Sequence, residues 1–405
     1  MSVSTSSPPE SGSGGALNAK ALQRVGVGRA AGMRASFGAR VRRLLLSEYF
    51  VLYLTIVFFV GAALLFPRIG LASTLGLPAN IANQFLNMWP LLAVAVGQTF
   101  VLIIGGIDLS QGSIMALTSV VGATLMTTVL DPAIMDKSPM WGSIIGPEGG
   151  PLSGSAWAVP VGVAAMLLTG AGIGFLNGLA ITRFRIAPFM ATLVSMIFFS
   201  AFALWLTQSR NISGLPESFI QLGSGDIISV YIGPKLEPQI ARRDLLPAIA
   251  YPTVIALGLS LLAQILLKRT AFGRQMFAIG TNRRTAIISG VPTGRVVILV
   301  YMFSGLCAAV SAILYSARLE IGQPSLGNNL LLDIIGATVI GGTSLFGGKG
   351  SIKGTIFGVA FFVLLLNVLN AARLSPFVID AVKGVVILLA AFLDVARTRL
   401  ASREN

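Results

Sequence analysis

Apolar residues in this chain come in long unbroken runs, not in the alternation of a half-buried strand or the stripe of an amphipathic helix. Ten runs stand out, near residues 49–66, 86–106, 110–130, 157–181, 187–208, 248–267, 296–316, 330–346, 352–371 and 377–394. Each approaches the roughly 20 apolar residues a helix needs to cross bilayer hydrocarbon, where backbone groups must satisfy one another because no water can. The pattern predicts an all-α, polytopic membrane bundle of about ten transmembrane segments. Composition agrees. Residues are 54% hydrophobic and only 11% charged, against about 25% charged in soluble domains, and mean hydropathy is +0.83.

The net charge of +14 would suggest nucleic acid in a soluble protein, but here the positions of the charges decide. With the first 47 residues placed inside and the sides alternated, inner loops and tails collect 20 of the 29 Lys and Arg residues. The outer side holds eight, offset by eight acids from Asp131 to Glu320, and Lys383 lies within the last run. Lys and Arg accumulate on the cytoplasmic face of membrane proteins, so both termini are expected to be cytoplasmic, and the expected partner is membrane lipid, not nucleic acid. Residues 48–396 then form the transmembrane domain, with a short cytoplasmic tail at 397–405. Residues 1–47 are rich in Ser, Gly and Ala, with seven basic residues against Glu10 alone. They read as a disordered cytoplasmic extension and not as a secretory signal, which would have a short apolar core and a cleavage site. Two outer stretches, 131–156 and 209–247, read as solvent-facing loops, either passive connectors or a surface for an external partner.

The chain has no histidine and one cysteine, Cys307, inside an apolar run. An intrachain disulfide is excluded, as are serine–histidine triads and histidine metal sites; no metal and no cofactor is expected. Gly342–Gly350 faintly resembles a phosphate-binding loop, but such a loop needs Gly where Thr343 stands and Ser or Thr where Gly350 stands. ATP is therefore not bound by a P-loop here, and the chain is not expected to be an enzyme.

Four ionisable groups fall within or at the edge of apolar runs: Asp108, Asp333, Asp380 and Lys383. A charge at the bilayer centre costs about 2.5–3.5 kcal/mol on insertion scales, so each needs a partner, a wet cavity or a position near the interface. Asp380 and Lys383 are three apart and can pair on one helix face. Asp108 lies in the stretch from Gly105 to Ser113, where Gly105 and Gly106 break the second run and either Asp108 or Ser110 can cap the third. Broken helices of this kind line substrate paths, because irregular backbone within a membrane is tolerated only beside protein or water; capping alone accounts for the aspartate equally well. Gly170, Gly174 and Gly178, like Gly354 and Gly358, recur every fourth position and indicate close helix packing. In the inner loop 268–295, Asn282 or Thr281 can cap a short helix that Gly290 ends. Ala286, Ile287 and Ser289 would form a small patch among arginines, suited either to a groove in a soluble partner or to the lipid surface.

These motifs resemble a known family, the permease subunits of ribose/xylose-type ATP-binding-cassette importers, related to branched-chain amino-acid permeases. The stretch Gly105-Gly-Ile-Asp-Leu-Ser-Gln-Gly-Ser113 is similar to the family signature. Asn177 with Arg183–Leu193, Thr270–Arg274 leading to Asn282 and Ser289–Gly290, and Leu332–Asp333 before Gly341–Gly350 follow in the family's order. The resemblance implies a multi-pass protein of the bacterial inner membrane, working as a dimer with an identical or paralogous second permease subunit. A cytoplasmic ATPase would drive it and a periplasmic or extracytoplasmic sugar-binding protein would deliver a monosaccharide. It places Gly105, Gly106, Asp108, Ser110, Asn177 and Asp333 along the translocation path. Gly273, Arg274, Asn282, Ala286, Ser289 and Gly290 fall in a loop that docks on the ATPase. Thr285-Ala286 departs from the two alanines common there. The rival expectation is an ion-coupled secondary transporter with Asp108 or Asp333 as its coupling group.

Overall fold

A computed structural model of the chain describes residues 49–68, 78–231 and 245–402. The expected tail at 1–47 lies outside the described residues. From Val51 onward the chain forms one compact unit, and every apolar run has become a helix. These are α1 (Phe50–Arg68), α2 (Pro78–Ile103), α3 (Gln111–Met126), α5 (Ala158–Arg183), α6 (Pro188–Thr207), α8 (Tyr251–Arg269), α11 (Thr293–Leu319), α12 (Leu331–Ile340), α13 (Ile352–Ala371) and α14 (Pro376–Ser402). Short helices lie between them: α4 (Pro132–Met135), α7 (Glu217–Ser224), α9 (Ala271–Thr281) and α10 (Arg283–Ile288). The fold is mostly helical but not purely so. In the outer stretch after α7, β1 (Asp226–Tyr231) pairs antiparallel with β2 (Leu245–Ala250). Isoleucine, valine and tyrosine make up most of β1 and favour this ribbon, which the count of apolar runs did not anticipate. Helix α14 continues through Ser402 into the expected 397–405 tail, and residues 403–405 lie outside the described residues.

Among the described residues, seven helices are long and apolar enough to cross a membrane: α1, α2 from Asn80, α5, α6, α8, α11 and α13. Two of the expected crossings are too short. At 1.5 Å per residue, α3 with its 16 residues rises about 24 Å and α12 with ten about 15 Å, against about 30 Å of hydrocarbon. Irregular backbone precedes each of them, residues 104–110 before α3 and 320–330 before α12.

At the centre stands α11, buried along most of its length against α2, α3 and α5. The closest seam is α5 on α11. A Cβ at Gly170 would overlap the Gly305 carbonyl, one at Gly174 the Tyr301 carbonyl, and one at Gly178 would lie 2.7 Å from the Ile298 Cα. Small residues let membrane helices approach this closely, replacing the hydrophobic drive that lipid removes with van der Waals contact. Hydroxyl pairs support the core: Thr99 with Thr355 at 2.6 Å and Ser119 with Ser316 at 2.7 Å. Outward faces of α1, α5, α6 and α8 carry exposed Val57, Leu168, Val194 and Leu261, as a surface turned to hydrocarbon should. The described parts of the two loops are held against the bundle, the Gly214 carbonyl accepting from the Thr128 amide just after α3 at 2.8 Å and Ser138 Oγ donating to the Leu206 carbonyl of α6 at 2.6 Å.

Candidate translocation site

Gly105 stops α2. Its φ of +76° lies in the left-handed region that costs glycine least, and the amides of Gly105 and Gly106 fold back onto the carbonyls of Leu102 and Val101. Residues 106–110 then run without helical bonding into the bundle. A Cβ at Gly106 would stand 2.6 Å from the Tyr301 hydroxyl, so any side chain here would have to displace this buried ring. Asp108, fully buried, ends that passage. Its Oδ1 accepts from the Ser110 amide at 3.0 Å and the Ser110 hydroxyl at 2.6 Å, and its Oδ2 from the Ser304 hydroxyl of α11 at 2.7 Å. No Lys or Arg pairs with it among the described residues.

Neither predicted cap holds. Ser110 occupies the N-cap position of α3, but its side chain makes no capping bond. The hydroxyl is committed to Asp108 instead, and accepts from Asn177 Nδ2 of α5 at 2.9 Å. Asn177 Oδ1 in turn accepts from the Ser195 hydroxyl of α6. On the other side, Gln111 Nε2 donates to Ser304 Oγ at 2.8 Å and lies 3.4 Å from the Val94 carbonyl of α2. One continuous polar path therefore joins α6, α5, the broken loop, α3, α11 and α2. The Gln111 Oε1 and the Tyr301 hydroxyl have no protein partner there. Polar groups buried at this depth are expensive unless bonded; Ser110 and Ser304 bond the carboxylate, and six elements share the network around them. Asn177 and Ser195 also line a groove of about 410 Å³ between α5 and α6 with Met190, Phe198 and Phe199, so the chain of bonds reaches a surface.

Asp333 belongs elsewhere. It is buried in the first turn of α12, 2.9 Å from Lys383 Nζ of α14, and Lys383 is 3.4 Å from Asp380. The local Asp380–Lys383 pair expected from sequence exists, but Asp380 is 66% exposed and the buried partner is Asp333, 50 positions earlier. The structure gives Asp333 an ion pair that ties α12 to α14, and does not bring it into the Asp108 network.

The inner loop folds as expected in outline. Thr270 caps α9 through the Gly273 amide at 3.2 Å, and Gly273 is needed because a Cβ would overlap the Leu267 carbonyl; Arg274 next to it is exposed. Asn282 caps α10, its Oδ1 accepting from the amides of Arg284 at 3.0 Å and Thr285 at 3.1 Å. Gly290, at φ +80°, closes it, with the Val291 amide reaching the Ala286 carbonyl in a Schellman-type end. One expectation is corrected: Ala286 is 3% exposed and faces the protein. The outward apolar residues are Ile287 and Ile288, the latter 86% exposed, beside exposed Ser289. A six-residue helix with both ends capped must turn one side inward, and the small alanine takes it.

Helix α9 also touches the broken loop. A Cβ at Gly280 would overlap the Ile103 carbonyl at the end of α2 and lie 2.5 Å from the Gly348 amide. That amide donates to the Ile103 carbonyl at 2.9 Å, and a Cβ at Gly347 would lie 3.0 Å from the Gly105 Cα. Three backbones thus meet with no side chain between them. The 341–350 stretch follows helix α12, and this internal packing occupies its Gly348 amide.

The family model for "Branched-chain amino acid transport system / permease component" matches residues 80–391, which is the whole of this bundle from α2 into α14. The chain belongs to that permease family. The ribose import permease protein RbsC of Bacillus subtilis (strain 168) is 34% identical over 317 residues, 78% of this chain and 85% of that protein. The ribose import permease of Escherichia coli (strain K12) is 34% identical over 331 residues, 80% of this chain and 90% of its own. A galactose/methyl galactoside import permease of Haemophilus influenzae is 30% identical over 325 residues, 78% of this chain and 86% of its own. No solved structure matches this chain. Membership in a permease family makes this a multi-pass protein of the bacterial inner membrane, and directs attention to how the broken loop is connected. Of the residues singled out from sequence, the fold unites Gly105, Gly106, Asp108, Ser110 and Asn177. The members sequence reading missed are Gln111, Ser195, Tyr301 and Ser304. The available signal was a polar side chain inside an apolar run, which Gln111 and Ser304 both carry.

Proposed function

We propose that this chain is the pore-forming permease subunit of an ATP-driven importer for a monosaccharide. The observation that carries the reading is that the relatives matching about four-fifths of this chain are named as import or transport permeases for ribose, L-arabinose, galactose and allose, all of them monosaccharides. A second permease subunit, a cytoplasmic ATPase and an external sugar-binding protein complete the machine. ATP is hydrolysed on the partner, and the permease changes which side its path opens to.

The chain crosses the membrane ten times with both termini cytoplasmic. Eight crossings are single helices, α14 among them, and two are composites: residues 104–110 with α3, and 320–330 with α12. Arg183, Arg185, Lys268, Arg269, Arg283, Arg284, Lys349 and Lys353 are all exposed and fall on the cytoplasmic side in this topology. Ile287 and Ile288 on α10 seat in a groove of the ATPase, with Arg274, Arg283 and Arg284 around them. Movement of α10 passes through α9 to Gly280, from there to the Ile103–Gly105 turn, and so to Asp108.

Co-reconstitution in liposomes tests the reading. Uptake of a monosaccharide should require ATP inside, the ATPase and the loaded binding protein; uptake by this chain alone under a proton or sodium gradient would establish the ion-coupled alternative instead. Ile288→Glu sits on an exposed side chain, so the bundle should fold while ATPase association and uptake are lost. Unchanged uptake in that variant would remove α10 as the docking element.

A further inference from the structure

Residues 320–330 form a succession of turns that descends into the membrane beside α3. Near the top, the Gln323 amide donates to Ser119 Oγ at 2.9 Å. Lower down, a Cβ at Gly112 would lie 2.6 Å from the Gly327 carbonyl. Ser119 to Gly112 is two turns of α3, about 10 Å of depth. The foot of this descent lies at the middle of the bundle, because neighbouring Gln111 reaches the carbonyl of Val94 within α2 and the hydroxyl of Ser304 near the midpoint of α11.

At that depth Asn328 and Asn329 are exposed on the single chain, and neither side-chain amide makes a protein hydrogen bond among the described residues. An amide facing hydrocarbon without a partner costs about 1–3 kcal/mol by protein mutational measures, and two adjacent ones are a poor way to meet lipid. Asn328 opens instead on a groove of about 280 Å³ between α3, α6 and the turn, with Ser113, Ser200, Ile197 and Leu331 among its lining. The groove is open on one side.

We propose that this groove is a sugar-binding wall of the translocation path, with Asn328 and Ser200 hydrogen-bonding the hydroxyls of a polyhydroxylated solute and Ile197 and Leu331 against its carbon face. The second permease subunit supplies the facing wall. An asparagine amide both donates and accepts, which suits vicinal hydroxyls. Irregular backbone at membrane depth is placed where a cavity is wet, and this wall adjoins the α3 turn that Asp108 and Ser110 hold.

This assignment rests on the importer reading above, and its test separates the two. The chain's own cysteine, Cys307, is fully buried and should leave the unmodified protein unlabelled. N328C, in the assembled complex, should react with a charged, water-soluble methanethiosulfonate, and L261C on the outward face of α8 should not. Labelling at N328C should depress sugar uptake by about tenfold or more, the scale expected when one or two hydrogen bonds are removed from a bound solute. A saturating concentration of the transported sugar should slow the labelling. If N328C resists the charged reagent as L261C does, or is labelled with no effect on uptake, the groove is not part of the path. Should the unmodified complex import no monosaccharide, the importer reading fails, while the labelling contrast still reports whether the groove is wet.

Discussion

Among the described residues of this bundle two carboxylates are buried, and they are satisfied in opposite ways. Asp333 meets a cation, Lys383, at 2.9 Å across α12 and α14. Asp108 meets only hydroxyls and an amide, from Ser110 and Ser304. An ion pair within a membrane cancels two charges and fixes two helices. Its members are costly to separate, and an apolar pair of similar size can replace them. A carboxylate held by neutral donors is coupled to everything that orients those donors, here Asn177, Ser195 and Gln111. The comparison teaches that a charge in an apolar run does not by itself mark a path. What distinguishes Asp108 is that its two partners, Ser110 and Ser304, are themselves bonded to residues of other helices in a chain that leads to a groove, whereas the contacts of Asp333 end on one lysine.

The largest effect should come from breaking the ion pair on one side only. Asp333→Ala leaves Lys383 buried with only the exposed Asp380 near it, and should destabilise the purified protein by about 3–5 kcal/mol, read as a lower thermal midpoint in detergent. The double variant D333A/K383M should recover most of that loss; no recovery would mean the pair is not what holds α12 to α14. Next is the three-way glycine contact that links α9 to the broken loop. Gly280→Ala must displace the Ile103 carbonyl or the Gly348 amide, and overpacking of this kind costs about 1–3 kcal/mol. The expected signature is ATP hydrolysis by the assembled complex that no longer drives uptake. Equal uptake per ATP in the variant would show that the contact only packs. The smallest effect belongs to Asp380→Asn, since its carboxylate is exposed and surface pairs contribute about 0.2–1 kcal/mol. A midpoint shift as large as that of Asp333→Ala would invert the assignment of the buried partner.

Much of this was legible in the chain. Continuous apolar runs are the simplest signal a membrane helix gives, and all ten became helices. The Gly105-Gly106 break, the Asn282 and Gly290 ends of α10 and the every-fourth-residue glycines of α5 are local features, so residue type sufficed. What local reading cannot supply is distance across the bundle. Ser304 lies 196 positions from Asp108, and one serine in α11 resembles any other small residue at a helix contact. Lys383 was matched with its neighbour three positions away because the buried partner lies on another helix. Helix length failed for a related reason, since the turns that replace helix before α3 and α12 gain bonds from tertiary neighbours, Ser304 donating to Asp108 and Ser119 accepting from Gln323. The inward face of Ala286 was likewise decided by what α10 rests on, not by its own six residues.

The contrast between the two acids is tested most directly by initial rates of monosaccharide uptake in proteoliposomes holding the complete transporter at equal folded amounts. Asp108→Asn keeps the size of the side chain but offers one acceptor oxygen in place of two, and should lower the rate about tenfold or more, equivalent to at least roughly 1.4 kcal/mol, while the protein remains folded. D333A/K383M should transport within a few-fold of the unmodified chain. Normal uptake by the Asp108 variant, with uptake abolished in a folded Asp333/Lys383 double variant, would contradict the account.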